Sequence, residues 1–261
     1  TERLGLIRGI AEKISAGNYS VRVNGEGRDL LGSISGSLNK MAESLEFSFS
    51  KLSQKEWLQR GIGELNEKLI GEKDLGNLSH NVLDFLSSYT DSQVGAFYLL
   101  NSQDSLHLAA SMGLQQQGVQ QTIRFGEGVA GMAAQSGKMQ VISGLQDSEM
   151  VISSTSATFH PNTIIAFPVY HEQKLKAVIE LAAIKEYPEA VKEFLTVAPF
   201  NIGMAIHSVR DHLRVQELLH ETQTQSEELQ SQHSELDNIN AELHAQSEKL
   251  QASDEELRVQ Q

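Results

Sequence analysis

The chain has 261 residues, a formal net charge of −13 and no cysteine. Without cysteine, disulfides, thiolate metal sites, cysteine nucleophiles and thioether-linked chromophores are excluded. The acidic balance, concentrated in the last forty residues, argues against nucleic acid as a partner, because phosphate binding needs clustered Lys and Arg. No apolar run reaches the roughly 18 residues of a membrane span, so we expect a soluble chain in a reducing, cytosolic compartment.

The first fifty residues carry two helical patterns separated by a polar connector at 19–28. In each, apolar residues recur three and four positions apart, and Gly17-Asn18 is typical of the end of the first helix. Stripes this narrow favour a bundle, in which two copies of the hairpin give four parallel helices around one core. The predicted dimer seam at this end is Leu4, Ile7, Ile14, Leu31, Ile34, Leu38, Met41 and Leu45.

Three segments of this region resemble the HAMP linker, the four-helix relay just inside the membrane in many bacterial receptors. Residues 10–18 are similar to the end of its first helix and residues 38–45 to its second. Asp29-Leu30-Leu31-Gly32 lies where that family carries Asp-Glu-x-Gly, with Leu30 in place of the glutamate. The resemblance covers residues 1–52 and implies a membrane span upstream of the chain. An ordinary helical hairpin is the alternative.

Residues 53–88 continue the helical pattern, with Leu58, Ile62, Leu65 and Leu69 on one seam. We interpret this stretch as a connecting helix. Its phase does not follow smoothly from Leu52, which predicts a stutter, a local change of supercoil winding, between the two bundles.

The middle of the chain, 89–205, mixes strand and helix patterns. The runs 94–100 and 106–112 flank turn-forming residues and predict a hairpin, so we expect an antiparallel sheet. A third run ends at Phe125 and a short helix follows at 128–135. Residues 144–162 are predicted to form a long polar loop. Further strands are predicted at 139–142, 163–171 and 174–184.

The glycine run Gly126-x-Gly128-x-x-Gly131, the Phe167-Pro168-Val169 strand and the helix running into Ile202 resemble a GAF domain, a small-molecule sensing module. The run also matches a dinucleotide-binding fingerprint, but the hairpins around it disfavour the parallel βαβ unit that such a site needs. The resemblance implies either a ligand between the sheet and its loop-helix cover, or an empty domain used for dimerisation and relay. The implied pocket residues are Phe97, Phe125, Val129, Met132, Phe159, His160 and Phe167.

The last zone, 206–261, is predicted to be one long helix in a parallel coiled coil. Leucine recurs every seven residues, while the companion core position is polar except for Ile239. Such a coil is expected to be weak and adjustable. The predicted seam here is Leu229, Leu236, Leu243, Leu250 and Leu257.

Several catalytic interpretations fail on the sequence. His220-Glu221 is similar to a histidine-kinase phosphoacceptor box, but Gln225 replaces its proline and no nucleotide-binding box follows. The nine histidines form no helical metal-binding pair, and a hydrolase elbow is missing. We therefore expect no catalytic residue, no metal and no cofactor beyond an unknown small molecule.

Together these patterns predict an α+β chain with a HAMP-type bundle, a GAF-type antiparallel sheet and a C-terminal coiled coil. The resulting interpretation is a non-catalytic relay fragment of a membrane-bound sensor histidine kinase in a two-component system. It acts as a homodimer on the cytoplasmic side of the membrane, joined to a kinase domain in the same protein. The alternatives are the same region of a diguanylate cyclase, a phosphodiesterase or a chemotaxis-type receptor. A plain coiled-coil scaffold is disfavoured by the mixed middle zone.

Overall fold

The structure is a computed structural model that describes residues 2–24, 29–101, 104–113, 120–145, 152–153 and 158–259, with the backbone alone at 152–153, 158–159 and 250–259. The chain divides into two compact units, residues 1–205 and 206–261. Each unit is described by itself.

The N-terminal hairpin consists of α1 (Glu2–Ser15) and α2 (Leu30–Leu69). Helix α1 ends where the sequence predicted, because Gly17 adopts φ +90° and the amide of Asn18 donates back to the carbonyl of Lys13. Buried Ile10, Ile14 and Ala42 join the helices in a small core with Val23 from the connector.

The connector is fixed to α2 by the side chains of Asn39 and Arg22. The amide of Val23 donates to Oδ1 of Asn39 at 2.8 Å, and Nδ2 of Asn39 donates to the Val23 carbonyl at 3.1 Å. The Arg22 guanidinium donates to the carbonyls of Tyr19 and Val21 and pairs with Glu46 on α2 at 2.6 Å. These hydrogen bonds hold the end of the connector against α2.

Helix α2 runs without a break past Leu52 and Leu58 and stops at Leu69, whereas the sequence pattern predicted helix through residue 88. The break lies at Gly71, whose φ of +80° does not fit a right-handed helix. Asp74 then caps the new helix α3 (Leu75–Thr90) by accepting from the amide of Asn77 at 2.8 Å. The prediction of one continuous helix over this stretch was wrong.

The middle of the chain forms a six-stranded antiparallel sheet, in agreement with the predicted hairpins. Its strand order is β3-β2-β1-β8-β7-β4, and the predicted bounds of β1 and β7 are confirmed. The strands are β1 (Val94–Leu100), β2 (Ser105–Met112), β3 (Thr122–Arg124), β4 (Gln140–Ser143), β7 (Thr163–His171) and β8 (Lys174–Ala183).

The short helix α4 (Gly128–Ser136) lies between β3 and β4, as predicted. The long polar loop prediction needs a correction. Two-residue strands β5 (Ile152–Ser153) and β6 (Thr158–Phe159) pair within it as a separate antiparallel sheet. The polar residues around these strands predicted a loop, because strands of two residues are too short to show an alternating pattern.

The two faces of the large sheet are covered by different helices. Leu83 of α3 lies against Gly95 and Leu181 on one face, which we call the helix face. Helix α4 packs on the opposite face, the α4 face, where Ala130 and Ala133 join a core with Tyr98 and Val178. Residues of a strand alternate between these faces.

The last helix, α5, runs from Glu189 to Val259 and contains Pro199. Within residues 1–205, α5 covers the helix face, since a side chain at Gly203 would overlap the carbonyl of Tyr170 and contact Val169. In residues 206–259, every side chain from Leu213 to Lys249 is exposed.

Candidate ligand site and helix junction

The structure divides the predicted pocket residues between the two faces of the sheet. Phe97 on β1 and Phe167 on β7 are both paired with Ile179 of β8, so all three lie on the helix face. All three are fully buried. They form core packing beneath α3 and α5, away from α4.

The other predicted pocket residues lie on the α4 side or beyond it. Val129 packs against both apolar clusters of the α4 face. Phe125, just before α4, and Met132, on α4, are both exposed. His160, which follows β6, is also exposed. The backbone of Phe159 lies in β6, and its side chain is outside the described part of the structure. Of the members of this set whose side chains the structure describes, Val129 alone lies in the sheet–α4 interface.

The most unusual side chain on the α4 face is one that the sequence reasoning did not select. Glu180 lies in the middle of β8, directly between Ala96 of β1 and Ala166 of β7. The amide of Ala130, in the first turn of α4, donates to its carboxylate. Burial raises the pKa of Glu180 above its ordinary value, and the Ala130 hydrogen bond opposes that rise in part.

Tyr98 is the polar neighbour of Glu180 on this face. Burial, followed by the charge of Glu180, raises the pKa of the Tyr98 phenol to about 12. The two flanking alanines leave the Glu180 carboxyl beside small side chains. A carboxyl in such surroundings can accept hydrogen bonds from a ligand or pair with a ligand cation.

A signal for Glu180 was present in the sequence. Val178, Glu180 and Ala182 alternate along β8, so a charged residue occupies a row that otherwise reads as core. The strand predicted at 174–184 contains this row, but strand alternation alone does not mark a charged residue as functional.

The start of α4 is shaped by the glycine run. Gly126 and Gly128 adopt φ of +86° and +64°, a conformation that glycine permits. Gly131 is needed for a different reason: a Cβ there would overlap the carbonyl oxygen of Arg124. The Glu127 carboxylate accepts from the amide of Arg124 at 3.1 Å. The turn therefore holds the Ala130 amide in place above Glu180.

A second feature of the first unit is the junction where α2, α3 and the beginning of α5 meet. The Trp57 ring of α2 stacks on Tyr89 of α3 at 4.6 Å and meets Phe194 of α5 edge-on at 5.8 Å. The Tyr89 hydroxyl donates to the carbonyl of Trp57, and its ring occupies the space left by Gly61.

The junction also contains a direct hydrogen bond between the helices that lead into and out of the sheet domain. Nδ2 of Asn201 on α5 donates to Oδ1 of Asn66 on α2 at 2.8 Å. Helices α2 and α5 thus contact each other without an intervening strand. A shift of one helix changes the packing of the other at this point.

Within the described ranges, no three His, Asp or Glu side chains come together as a metal site. In the same part of the chain, none of the helices combines the length and apolarity needed to cross a membrane.

Comparison with protein families matches residues 72–207 to the GAF domain. Among solved structures, the GAF domain of a phosphoenolpyruvate-protein phosphotransferase from Coxiella burnetii is similar at a TM-score of 0.50, with 12% identity over 59% of this chain and 95% of that one. The corresponding Acinetobacter domain gives 0.48, with 18% identity over 61% and 95% of the two chains. A free methionine-R-sulfoxide reductase from Neisseria meningitidis, in complex with its substrate, gives 0.49, with 18% identity over 59% and 90%. The search of curated proteins gave no match.

Because the matched segment spans just over half of the chain, the protein belongs to the GAF domain family. GAF domains serve sensory and regulatory roles and often bind small molecules. The predicted GAF-type domain is therefore confirmed. The Coxiella domain, at its low identity, shares the fold.

Proposed function

We propose that this chain is the signal-relay region of a dimeric sensor histidine kinase, with a GAF domain placed between two helical segments. The observation that carries the proposal is the direct contact between α2 and α5 at Asn66–Asn201 and Trp57–Phe194. A relay needs its incoming and outgoing helices to be mechanically coupled, and these side chains couple them.

The N-terminal hairpin supports a dimer because part of its apolar seam is exposed in the described part of the chain. Ile14 is buried between α1 and α2, and Ile7, Leu38 and Leu45 pack partly against that core. Ile34 and Met41, by contrast, are 43% and 56% exposed on α2, and Leu4 is exposed on α1. Leu31 is half-buried. A second, parallel hairpin would cover the exposed positions, as in a HAMP bundle.

The C-terminal helix supports the same arrangement. Leu229, Leu236 and Leu243 are exposed at seven-residue intervals, with Leu229 at 65%. An isolated helix with this stripe gains apolar burial by pairing with its copy. Leu250 and Leu257 continue the interval, but their side chains are outside the described part of the structure.

The α4 face supports a sensory input. A small molecule that donates a hydrogen bond or carries a cation would satisfy the Glu180 carboxyl beneath α4, where Tyr98 supplies a second polar group. Binding there would bias the position of α4 on the sheet.

The order of a HAMP-like segment followed by a GAF domain also supports a location in the cell and a neighbouring domain. We place the chain next to the cytoplasmic face of a membrane, with the catalytic kinase domain in the same protein beyond the C-terminal helix. The chain itself performs no reaction. A diguanylate cyclase, phosphodiesterase or chemotaxis-type output would use the same relay.

The relay is tested by fusing residues 1–261 in register to a histidine-kinase core and measuring autophosphorylation. Trp57→Ala and Asn201→Ala are compared with Lys55→Ala, an exposed neighbour on α2. We expect both junction variants to change the basal kinase rate while the control does not. Unchanged rates in dimeric junction variants with a native circular dichroism spectrum would refute the proposed coupling.

The dimer is tested separately, and the absence of cysteine makes this simple. In a parallel coil Leu243 faces its own copy, so Leu243→Cys is expected to cross-link rapidly under mild oxidation. Glu242→Cys, one position off the predicted seam, is the control. A monomeric mass in sedimentation, with equal slow cross-linking of both variants, would contradict a parallel dimer.

A further inference from the structure

A groove at the β7 edge of the large sheet is lined by neither Glu180 nor Tyr98 nor any residue of α4. It has a volume of about 390 Å³ and lies between the turn after α4, the second half of β7 and the first turns of α5. Phe167 and Leu195 form buried walls, while Phe200 is 67% exposed at the mouth. The groove is also lined by Gly137, Lys138, Met139, Pro168, Tyr170, Thr196 and Pro199.

The groove exists because the sheet ends early along β7. Strand β4 pairs with β7 only from Thr163 to Ala166, so beyond Ala166 β4 does not cover that edge. Pro168 lies in this uncovered stretch and has no amide hydrogen to offer an added strand. The edge is therefore poorly suited to binding a peptide as a further strand, and its side chains form the wall of a small-molecule site.

Two backbone features affect polar groups of residues that line this groove. Pro199 has no N–H, so the carbonyl of Leu195, one turn earlier in α5, cannot receive the usual helical hydrogen bond. Gly137 adopts φ +68° at the end of α4, and a Cβ there would lie 3.0 Å from the Tyr170 hydroxyl. The glycine thus leaves room for the phenol at one end of the groove.

The charge of the residues that line the groove favours an anionic ligand. Lys138 is the one charged residue among the lining side chains, and it is exposed. Across the described ranges, no carboxylate pairs with its ammonium group. An anionic group at the rim would pair with Lys138 while an apolar ring fills the space beside Phe200 and Pro199.

We propose that this groove binds a small aromatic carboxylate, with its ring against Phe200 and Pro199 and its carboxylate paired with Lys138. The volume lies at the lower end of the range for small-molecule sites, which suits one or two fused rings. An N–H on the ring system would find an acceptor in the Leu195 carbonyl. This proposal does not depend on the kinase relay or on a ligand at Glu180.

The test uses two probes of nearly equal shape, indole-3-acetate and indole-3-acetamide, with binding to the whole chain followed by ligand-observed NMR. We expect the acid to bind with a Kd of about 1 mM or tighter, the affinity typical of a ligand of this size. The neutral amide is expected to bind about fivefold more weakly, the effect of one partly exposed ion pair.

Three variants locate the site. Lys138→Gln is expected to weaken the acid about fivefold and leave the amide unchanged. Phe200→Ala is expected to weaken both probes by about five- to tenfold. Lys174→Gln, an exposed lysine in the β7–β8 hairpin, is the matched charge control and is expected to change neither. A melting scan confirms that each variant is folded.

Several results would overturn the proposal. These are the absence of saturable binding at millimolar acid, equal affinity for acid and amide, and binding that survives both Lys138→Gln and Phe200→Ala. Binding that is lost in Glu180→Gln but kept in Phe200→Ala would place the probe on the α4 face instead.

Discussion

The two faces of the central sheet have opposite kinds of packing. On the helix face, large side chains such as Phe97, Phe167 and Leu181 are fully buried beneath helices. On the α4 face, Glu180 lies between Ala96 and Ala166, next to a cluster that combines Tyr98 with alanines and aliphatic side chains. The helix face thus consists of large buried side chains beneath helices, whereas the α4 face places a carboxyl between two alanines. The contrast agrees with the proposed division of the sheet into a structural face and a ligand-binding face.

The largest expected effect tests the helix face. Phe97→Ala empties a fully buried site and is expected to cost about 3–5 kcal/mol of unfolding free energy. The control is Phe47→Ala, since Phe47 is 69% exposed and its loss is expected to change stability by less than about 0.5 kcal/mol. Urea denaturation measures both. Equal losses would contradict the assignment of Phe97 to the core.

A smaller effect is expected at the start of α4. Gly131→Ala drives a methyl group into the Arg124 carbonyl, at an expected cost of about 1–3 kcal/mol. Gly128→Ala has open space but a positive φ, and we expect it to cost about 1 kcal/mol. Gly36→Ala, in open space on α2, is the control and is expected to stabilise by about 0.5–1 kcal/mol. If the two α4 variants melt like the parent, this turn imposes no special backbone requirement.

The smallest expected effect concerns the pH dependence of the α4 face. The pKa of Glu180 is higher in the folded than in the unfolded chain, so ionisation favours unfolding. The parent is therefore expected to lose stability as pH rises from the unfolded value of about 4.5 through the higher folded value. Glu180→Gln lacks this loss.

The measurement is the unfolding free energy of the parent and Glu180→Gln across the acid range. The difference is expected to move in favour of the glutamine variant as pH rises. Glu193→Gln, at an exposed position on α5, controls for general charge effects. A difference that stays constant with pH, or moves in the opposite direction, would show that Glu180 is not a destabilised buried acid.

The bounds of the strands were easier to predict from the sequence than the face of the sheet on which each side chain lies. Strands β1 and β7 are rich in β-branched and aromatic residues between turn residues, and this local pattern was enough to define their bounds. The face of Phe97 was not predictable in this way, because alternation gives two sets without saying which set α4 covers. Which face α4 covers depends on packing between distant segments. Because α4 covers the face opposite to Phe97 and Phe167, these two residues lie apart from Val129.

Helix ends show the same division between local and distant causes. Gly17 and Asn18 correctly predicted the end of α1, whereas the sequence pattern did not predict the break between α2 and α3. The apolar seam stops at Leu69 and resumes only at Leu75, so Gly71 and Asp74 were sequence signals of a helix end and a new helix start that the prediction overlooked. The placement of Glu180 was open to sequence reasoning, but its hydrogen bond with Ala130 depends on how α4 lies over the sheet.

The unbroken course of α2 has a mechanical consequence. Its 40 residues extend for about 60 Å at the helical rise of 1.5 Å per residue. Such a rod carries axial rotation and sliding from the Asn39 end to the Asn66 end, and each inserted residue turns one end relative to the other by about 100°. Adding one residue near Lys55 therefore offsets the angular setting of the two ends, whereas adding seven nearly restores it. The length of α2 in residues thus sets the angle between its Asn39 end and its Asn66 end, and with it the angular setting that the proposed relay would use.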